Sequence, residues 1–192
     1  MLKTRHKTPV RNSRAQDLIR RGIDLGEAAR WSECVLALQA GLKLDPDHLL
    51  GQLNLARAYL HLNQLDDAVR VISAVLRVQP TLELGVLIQA EAYNRLQRYA
   101  DAEASLRTLP EASRTTKAYW YSLGYAQQLQ GQLSEAIESF MKALSIKMDD
   151  AQTHYSMGLS FFEMQLKDEA CECFRTALLL GLDNLTIRAV GT

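Results

Sequence analysis

The feature that most restricts what this chain can become is self-similarity at a fixed step of 34 residues. Units placed at 15–48, 49–82, 83–116, 117–150 and 151–184 follow one another with no insertion, and the same residue types return in the same columns. Column eight holds Gly22, Ala56, Ala90, Gly124 and Gly158, each small enough to let two helices approach closely. Column 20 holds Cys34, Ala68, Ala102, Ala136 and Ala170, which is the same steric demand made from a facing helix. Four places further come the large knobs Leu38, Ile72, Leu106, Phe140 and Phe174, which fill the space where two helix axes diverge.

Breaks fall between these runs. Pro46 and Pro80 stand 34 apart and end helices, because proline lacks the backbone donor and restricts the residue before it. A weaker break inside each unit, such as HLNQLDD at 61–67 or LQGQLSE at 129–135, separates two amphipathic stretches of helical length. Each unit therefore reads as two helices joined by a turn. One such pair cannot bury its apolar face alone, so the pairs must stack into a quasi-linear array with a concave and a convex side. The third unit departs most, reaching Leu109-Pro110 where its second helix should continue and carrying Arg114 in place of a closing proline. That helix is expected to stop early, followed by a looser link through EASRT.

These columns resemble the tetratricopeptide repeat, a 34-residue pattern W-x2-L-G-x2-Y…A-x3-F…P. The fourth unit is nearest to it, with Trp120, Leu123, Gly124, Ala136, Phe140 and Ala143 in place and Gln127 where tyrosine is usual. The resemblance covers residues 15–184 and implies an all-α fold, a right-handed α-solenoid of five helix-turn-helix repeats. It also implies that columns two, five, nine, twelve and thirteen of each first helix line the groove, while columns four, seven, eight and eleven pack inside. On that basis Trp120 is a core residue, Tyr119 is peripheral, and Tyr121 and Tyr125, four apart on one helix face, look into the groove. Tyr155, Leu159, Gln128 and Phe162 extend this aromatic wall. The alternative is that tight curvature packs these rings against one another as an inner core. Toward the N-terminal half the groove is more polar, with Asn54, Arg57, Glu91, Asn94 and Arg95 around Leu53 and Leu87.

Two specialised variants of the repeat are excluded by column. Cochaperone versions clamp a terminal carboxylate with Lys and Asn at columns five and nine, whereas column five here reads Ile19, Leu53, Leu87, Tyr121 and Tyr155. Sugar-transferase versions carry an asparagine ladder at column six, and this chain has Arg20, Asn54, Ile88, Ser122 and Ser156.

No catalytic chemistry is legible. A reaction centre needs a base, a nucleophile or a metal set that converges, but His6, His48, His61 and His154 are dispersed along the chain and no phosphate-cradling glycine loop appears. Cys34, Cys171 and Cys173 form an odd set without framework spacing, as in a reducing compartment. Cys171 and Cys173, two apart on a helix, diverge too widely to chelate one metal. No cofactor is expected. The first fourteen residues carry five basic side chains and no acid, leaving 17 basic against 22 acidic in the remainder. Residues 1–14 read as a flexible basic tail, with a mitochondrial presequence as the alternative. The acidic body lacks a basic stripe, so nucleic acid is not an expected partner, and no apolar run approaches the length of a membrane span.

The sequence thus points to a cytoplasmic protein-protein interaction scaffold, without enzymatic activity of its own, holding a peptide segment or partner domain in its groove. The alternative implied by the resemblance is the N-terminal regulatory or substrate-recruiting module of a larger enzyme of glycosyltransferase or sulfotransferase type, since similar arrays occur joined to catalytic domains. Residues 185–192 begin a sixth unit in phase, as a capping stub or as the start of further repeats, the second being favoured. The leucine-rich run ALLLGL at 177–182 is the end expected to carry any self-association.

Overall fold

A computed structural model describes residues 9–181. The tail residues Lys3, Arg5 and Lys7 and the sixth-unit octet 185–192 lie outside the described residues. Those described form ten α-helices: α1 (Pro9–Glu27), α2 (Trp31–Leu44), α3 (Leu49–His61), α4 (Leu65–Val78), α5 (Glu83–Arg95), α6 (Tyr99–Arg107), α7 (Lys117–Leu129), α8 (Leu133–Ile146), α9 (Ala151–Glu163) and α10 (Lys167–Leu179). A short 3-10 helix, Glu111–Ser113, follows α6. Helix α1 begins at Pro9, so it reaches back into the stretch that the sequence assigned to the basic tail.

The first helices of units two to five open at residues 49, 83, 117 and 151, and the second helices of all five units at 31, 65, 99, 133 and 167, in strict steps of 34. Two kinds of cap enforce this phase. Ahead of α3, α7 and α9, the side chains of His48, Thr116 and Asp150 accept from the backbone N–H three residues on, satisfying a donor that a helix start leaves orphaned. The second helices have no side-chain cap at Arg30, Gln64, Arg98, Gln132 or Leu166. Their entry is built from the backbone instead. Residues 29, 63, 97, 131 and 165 all have positive φ, and the next N–H in each case donates to a carbonyl five residues back, as in Arg30 to Leu25 and Gln132 to Gln127. This is the closing bond of a Schellman turn, made five times at the same step.

The helices group into two compact units with the boundary after Ala92, inside α5. In the N-terminal unit, α1 to α4 and the start of α5 enclose a core of Ile19, Cys34, Leu38, Leu53, Ala56, Tyr59, Ala68, Ile72 and Ile88. A Cβ added at Gly22 would lie 2.6 Å from Leu38 Cγ, so column eight stays small because the column-24 knob occupies that space. In the fourth and fifth repeats the knobs are larger. A Cβ at Gly124 would meet the Phe140 ring at 2.8 Å, and one at Gly158 the Phe174 ring at 2.7 Å. Both phenylalanines are accompanied by glycine, while an aliphatic knob goes with glycine in the first repeat, Gly22 with Leu38, and with alanine in the second, Ala56 with Ile72.

Helix α6 ends after nine residues, in keeping with the Leu109-Pro110 break. Arg114, standing where a proline would close the unit, caps the truncated helix. Its Nε donates to the Leu109 carbonyl at 3.0 Å and its terminal nitrogen to the Arg107 carbonyl at 3.3 Å.

Candidate functional site

The expected groove residues lie on first helices, and each compact unit presents its own set. In the C-terminal unit, the Tyr121 and Tyr125 rings stack with centroids 6.2 Å apart and planes inclined by 9°. Tyr121 is half-buried; below it lie the Phe140 ring at 5.9 Å and the Ser156 hydroxyl at 3.4 Å. Tyr125 is 38% exposed. Its hydroxyl titrates above the ordinary tyrosine range, because burial of the phenol and the neighbouring Tyr121 and Tyr99 hydroxyls all oppose the phenolate. Further along the same column system Leu159 is half-buried and Phe162 is 50% exposed.

Two other residues of the expected wall are placed differently. Tyr155 is 5% exposed and packs its ring 5.7 Å from Phe174. Gln128 is also buried, its Nε2 donating to the Ser156 carbonyl at 3.1 Å and tying α7 to α9. Asn94, near the end of α5, is 8% exposed and its Oδ1 accepts no hydrogen bond from the described residues. Arg95 beside it is exposed.

Two aromatic assignments need correction. Tyr119, expected at the periphery, is fully buried, and Trp120, expected in the core, is half-buried. The reason lies in column three, which holds Gly51, Gly85, Tyr119 and Thr153 in units two to five, all buried. A Cβ at Gly51 would touch Leu42 Cδ2 at 3.1 Å and one at Gly85 would touch Leu76 Cδ2 at 3.0 Å, so a leucine from the preceding second helix fills this place. The corresponding residue before Tyr119 is Pro110, beyond the end of the shortened α6. The Tyr119 ring supplies the volume that the missing leucine leaves. Trp120 then lies nearly at right angles to it, 5.0 Å away, donates from Nε1 to the Arg114 carbonyl at 2.9 Å, and carries Lys142 Nζ over its ring at 4.4 Å. The change from glycine at positions 51 and 85 to tyrosine at 119 in column three was the sequence signal for this swap.

In the N-terminal unit, Leu53 is buried and Leu87 half-buried, while Arg57 and Glu91 are exposed. Asn54 turns its amide back to the Leu50 carbonyl at 2.8 Å. Arg57 borders a cavity of about 100 Å³ among Ile23, Glu27, Trp31, Cys34 and Asn54. Burial pushes the Cys34 thiol up, with the Arg57 charge pulling partly against it. Beside this cavity Trp31 and His61 stack at 3.8 Å with planes 4° apart. Cys34, Cys171 and Cys173 are free thiols.

At the entrance to α9, Asp150 accepts from Lys117 Nζ at 3.0 Å and from the Thr153 backbone N–H at 3.1 Å, and also bonds the Thr153 hydroxyl. Burial alone would raise its pKa, but these bonds and the Lys117 charge outweigh burial and hold the carboxyl below its ordinary range. Among the described residues no group of three or more His, Cys, Asp or Glu could hold a metal ion, and no helix is long and apolar enough to cross a membrane.

Comparison with known proteins agrees with this architecture. Family models described as TPR repeat and tetratricopeptide repeat match residues 27–85, 124–165 and 151–180. No curated protein matches the chain in sequence. Among solved structures, MamA from residue 41 to its end, from Desulfovibrio magneticus RS-1, is similar with a TM-score of 0.77 at 18% identity, covering 87% of this chain and 94% of that one. A thermophilic TPR protein of Thermus thermophilus superposes with a TM-score of 0.75 at 21% identity, over 91% of this chain and 95% of that one. A further MamA structure, MSR-1 C2, gives 0.71 at 25% identity over 89% and 97%. At these identities the likeness carries the fold, an all-α tetratricopeptide solenoid. With the 34-residue phase, the repeated Schellman turns and three matching family models in hand, the chain belongs to the tetratricopeptide-repeat family.

Proposed function

We propose that this chain is a non-enzymatic interaction scaffold that captures a peptide segment or partner domain on the first-helix face of its repeats, arranged as five units over 15–184. The observation that carries the reading is the stacked Tyr121–Tyr125 pair. Tyr125 remains 38% exposed although the column-eight glycine and the Phe140 knob already complete the packing between α7 and α8. A parallel ring pair with Tyr125 exposed and Tyr121 half-buried beneath it is contact area at low entropic cost, with hydroxyls that tolerate water, which suits a binding hot spot. Leu159 and Phe162 add apolar surface in the C-terminal unit, and Arg57 adds a cation in the N-terminal unit. Three free thiols fit a reducing compartment such as the cytoplasm.

The test is capture from source lysate by the full chain and by the Tyr121→Ala/Tyr125→Ala double variant, followed by identification of what is lost. A specific band that disappears with the double variant, while its circular dichroism and melting temperature stay close to wild type, supports the scaffold reading. Capture that is the same for both proteins would remove these tyrosines from it.

A further inference from the structure

In three of the repeats the column-four side chain sends an N–H to the column-32 carbonyl of the unit before it. Gln52 Nε2 donates to the Pro46 carbonyl at 2.7 Å, and Trp120 Nε1 to the Arg114 carbonyl at 2.9 Å. His154 Nε2 lies 3.0 Å from the Met148 carbonyl, which can only accept, so that nitrogen carries the proton. The space beyond this bond is filled differently from repeat to repeat. In the fourth, the indole of Trp120 occupies it, with Lys142 of column 26 over the ring at 4.4 Å. In the second, Gln52 is narrower than an indole and column 26 is Ala74. A cavity of about 280 Å³ lies there, walled by Leu49, Gln52, Ala74, Val75 and Val78. Val78 is 80% exposed beside it, against 48% for Ile146 and 39% for Leu180 in the same column.

We propose that this cavity on the second repeat binds a tryptophan side chain of a partner polypeptide that carries a lysine or arginine next to that tryptophan. The site goes beyond the scaffold reading above: it lies in the N-terminal unit and uses neither ring of the α7 pair. The fourth repeat identifies the ring, because there the matching column-four position is held by an indole that uses the matching carbonyl. Among the described residues the Pro46 carbonyl accepts only from Gln52, and a carbonyl oxygen has a second lone pair for an indole N–H. Size agrees: sites for whole drug-sized ligands measure about 300–1,000 Å³, so this smaller cavity suits one large side chain. A ring seated in it would cover the bare face of Val78. The rim supplies the charge preference. Asp47 is exposed there and its carboxylate has no partner among the described residues, while the other polar group of the rim, Gln79, is neutral. In the fourth repeat Lys142 brings a cation to the ring; in the second, Ala74 brings none, and a cation beside the incoming tryptophan would meet both the ring and Asp47.

The experiment titrates the isotope-labelled full chain with three capped dipeptides, N-acetyl-Trp-Lys-amide, N-acetyl-Trp-Glu-amide and N-acetyl-Leu-Lys-amide, and follows the Leu49, Val75 and Val78 amides by NMR. The Trp-Lys peptide should move these amides, with Leu-Lys binding about tenfold and Trp-Glu about threefold more weakly. Asp47→Asn should abolish the preference for lysine and keep that for tryptophan. Gln52→Trp supplies the indole from within, so it should melt higher than wild type and lose at least about tenfold in affinity. Ala74→Lys puts a cation in the column of Lys142 and should tighten Trp-Glu by about two- to fivefold. Should Gln52→Trp not fold, the Asp47 and Ala74 variants, both changed at the cavity edge, still decide the matter. Equal binding of the Leu and Trp peptides, no shift at about 10 mM peptide, or undiminished binding to a folded Gln52→Trp overturns the proposal. Tighter binding of free tryptamine than of Trp-Lys also overturns it in favour of a small aromatic amine, and movement of the same amides on dilution of the protein alone overturns it in favour of a second copy. The Tyr121→Ala/Tyr125→Ala double variant should bind Trp-Lys as wild type does, so this proposal and the scaffold reading fail separately.

Discussion

The packing between α7 and α8 makes a quantitative prediction about Gly124. An alanine there would place Cβ 2.8 Å from two Phe140 ring carbons and 3.1 Å from the Ala136 carbonyl oxygen, whereas relaxed carbon contacts lie at about 3.5–4.0 Å. The Phe140 ring is fully buried, with Tyr121 5.9 Å from it, and has little freedom to retreat. Overpacking of this kind costs ~1–3 kcal/mol, and the better helix propensity of alanine returns ~1 kcal/mol. Gly124→Ala should therefore destabilise by up to ~2 kcal/mol. Phe140→Leu alone should cost a similar ~1–2 kcal/mol through lost ring volume. Combined, the two recreate the small-plus-aliphatic pairing that Ala56 and Ile72 represent in the second repeat, so the clash disappears and the double variant should gain a coupling energy of ~1–2 kcal/mol. Urea unfolding of the four proteins, followed by far-ultraviolet circular dichroism with hydrogen exchange of the α7 and α8 amides, measures that coupling. Additivity within ~0.5 kcal/mol would refute the claim that column eight and column 24 are matched in volume.

Other consequences are simpler. Tyr119→Ala should cost ~3–5 kcal/mol by opening a cavity beside the shortened α6, while Tyr119→Phe should be neutral or stabilising, because the buried hydroxyl has no partner among the described residues; thermal melts of the two variants separate volume from polarity. Ala29, Gln97 and Gln165 hold left-handed backbone without being glycine, so each change to glycine should stabilise by ~1 kcal/mol, and lower melting temperatures in all three would contradict the turn assignment. The folded-state pKa of Asp150 is depressed, so its contribution is present above the unfolded value near ~4 and fades as pH falls through the folded one; Asp150→Asn should flatten the acid limb of the stability-pH curve. Burial holds Cys173 at about 11 and also raises Cys34, while Cys171 is exposed, so iodoacetamide at pH near ~8 should add one rapid adduct, at Cys171.

The helix starts were legible because a repeat of constant length multiplies a weak signal: each capped or proline-marked break supports the others at a known step. The turns were less so. Gly131 and Asn63 suit left-handed backbone, but Ala29, Gln97 and Gln165 carry no such mark and take it because the helices on either side impose it. The early stop of α6 could be read at Leu109-Pro110, yet its consequence, a tyrosine drawn inward to replace the absent leucine, required knowing that column three is an interior position. In the candidate site, column number could not foresee that Tyr125 would stay exposed while Tyr121 leans on Phe140 and Tyr155 is covered beside Phe174, because that depends on how far each particular ring leans.

The central claim is that Tyr125, the exposed ring of the stacked pair on α7, binds a partner and does not serve to hold the fold. It is tested most directly by measuring, on one Tyr125→Ala sample, both the affinity for a library-selected peptide and the melting temperature. The account predicts affinity reduced by about fivefold or more, the scale of a hot-spot truncation above ~1 kcal/mol, with melting close to wild type. Unchanged affinity, or a protein that loses its fold while the remaining folded fraction binds as tightly as wild type, would contradict it.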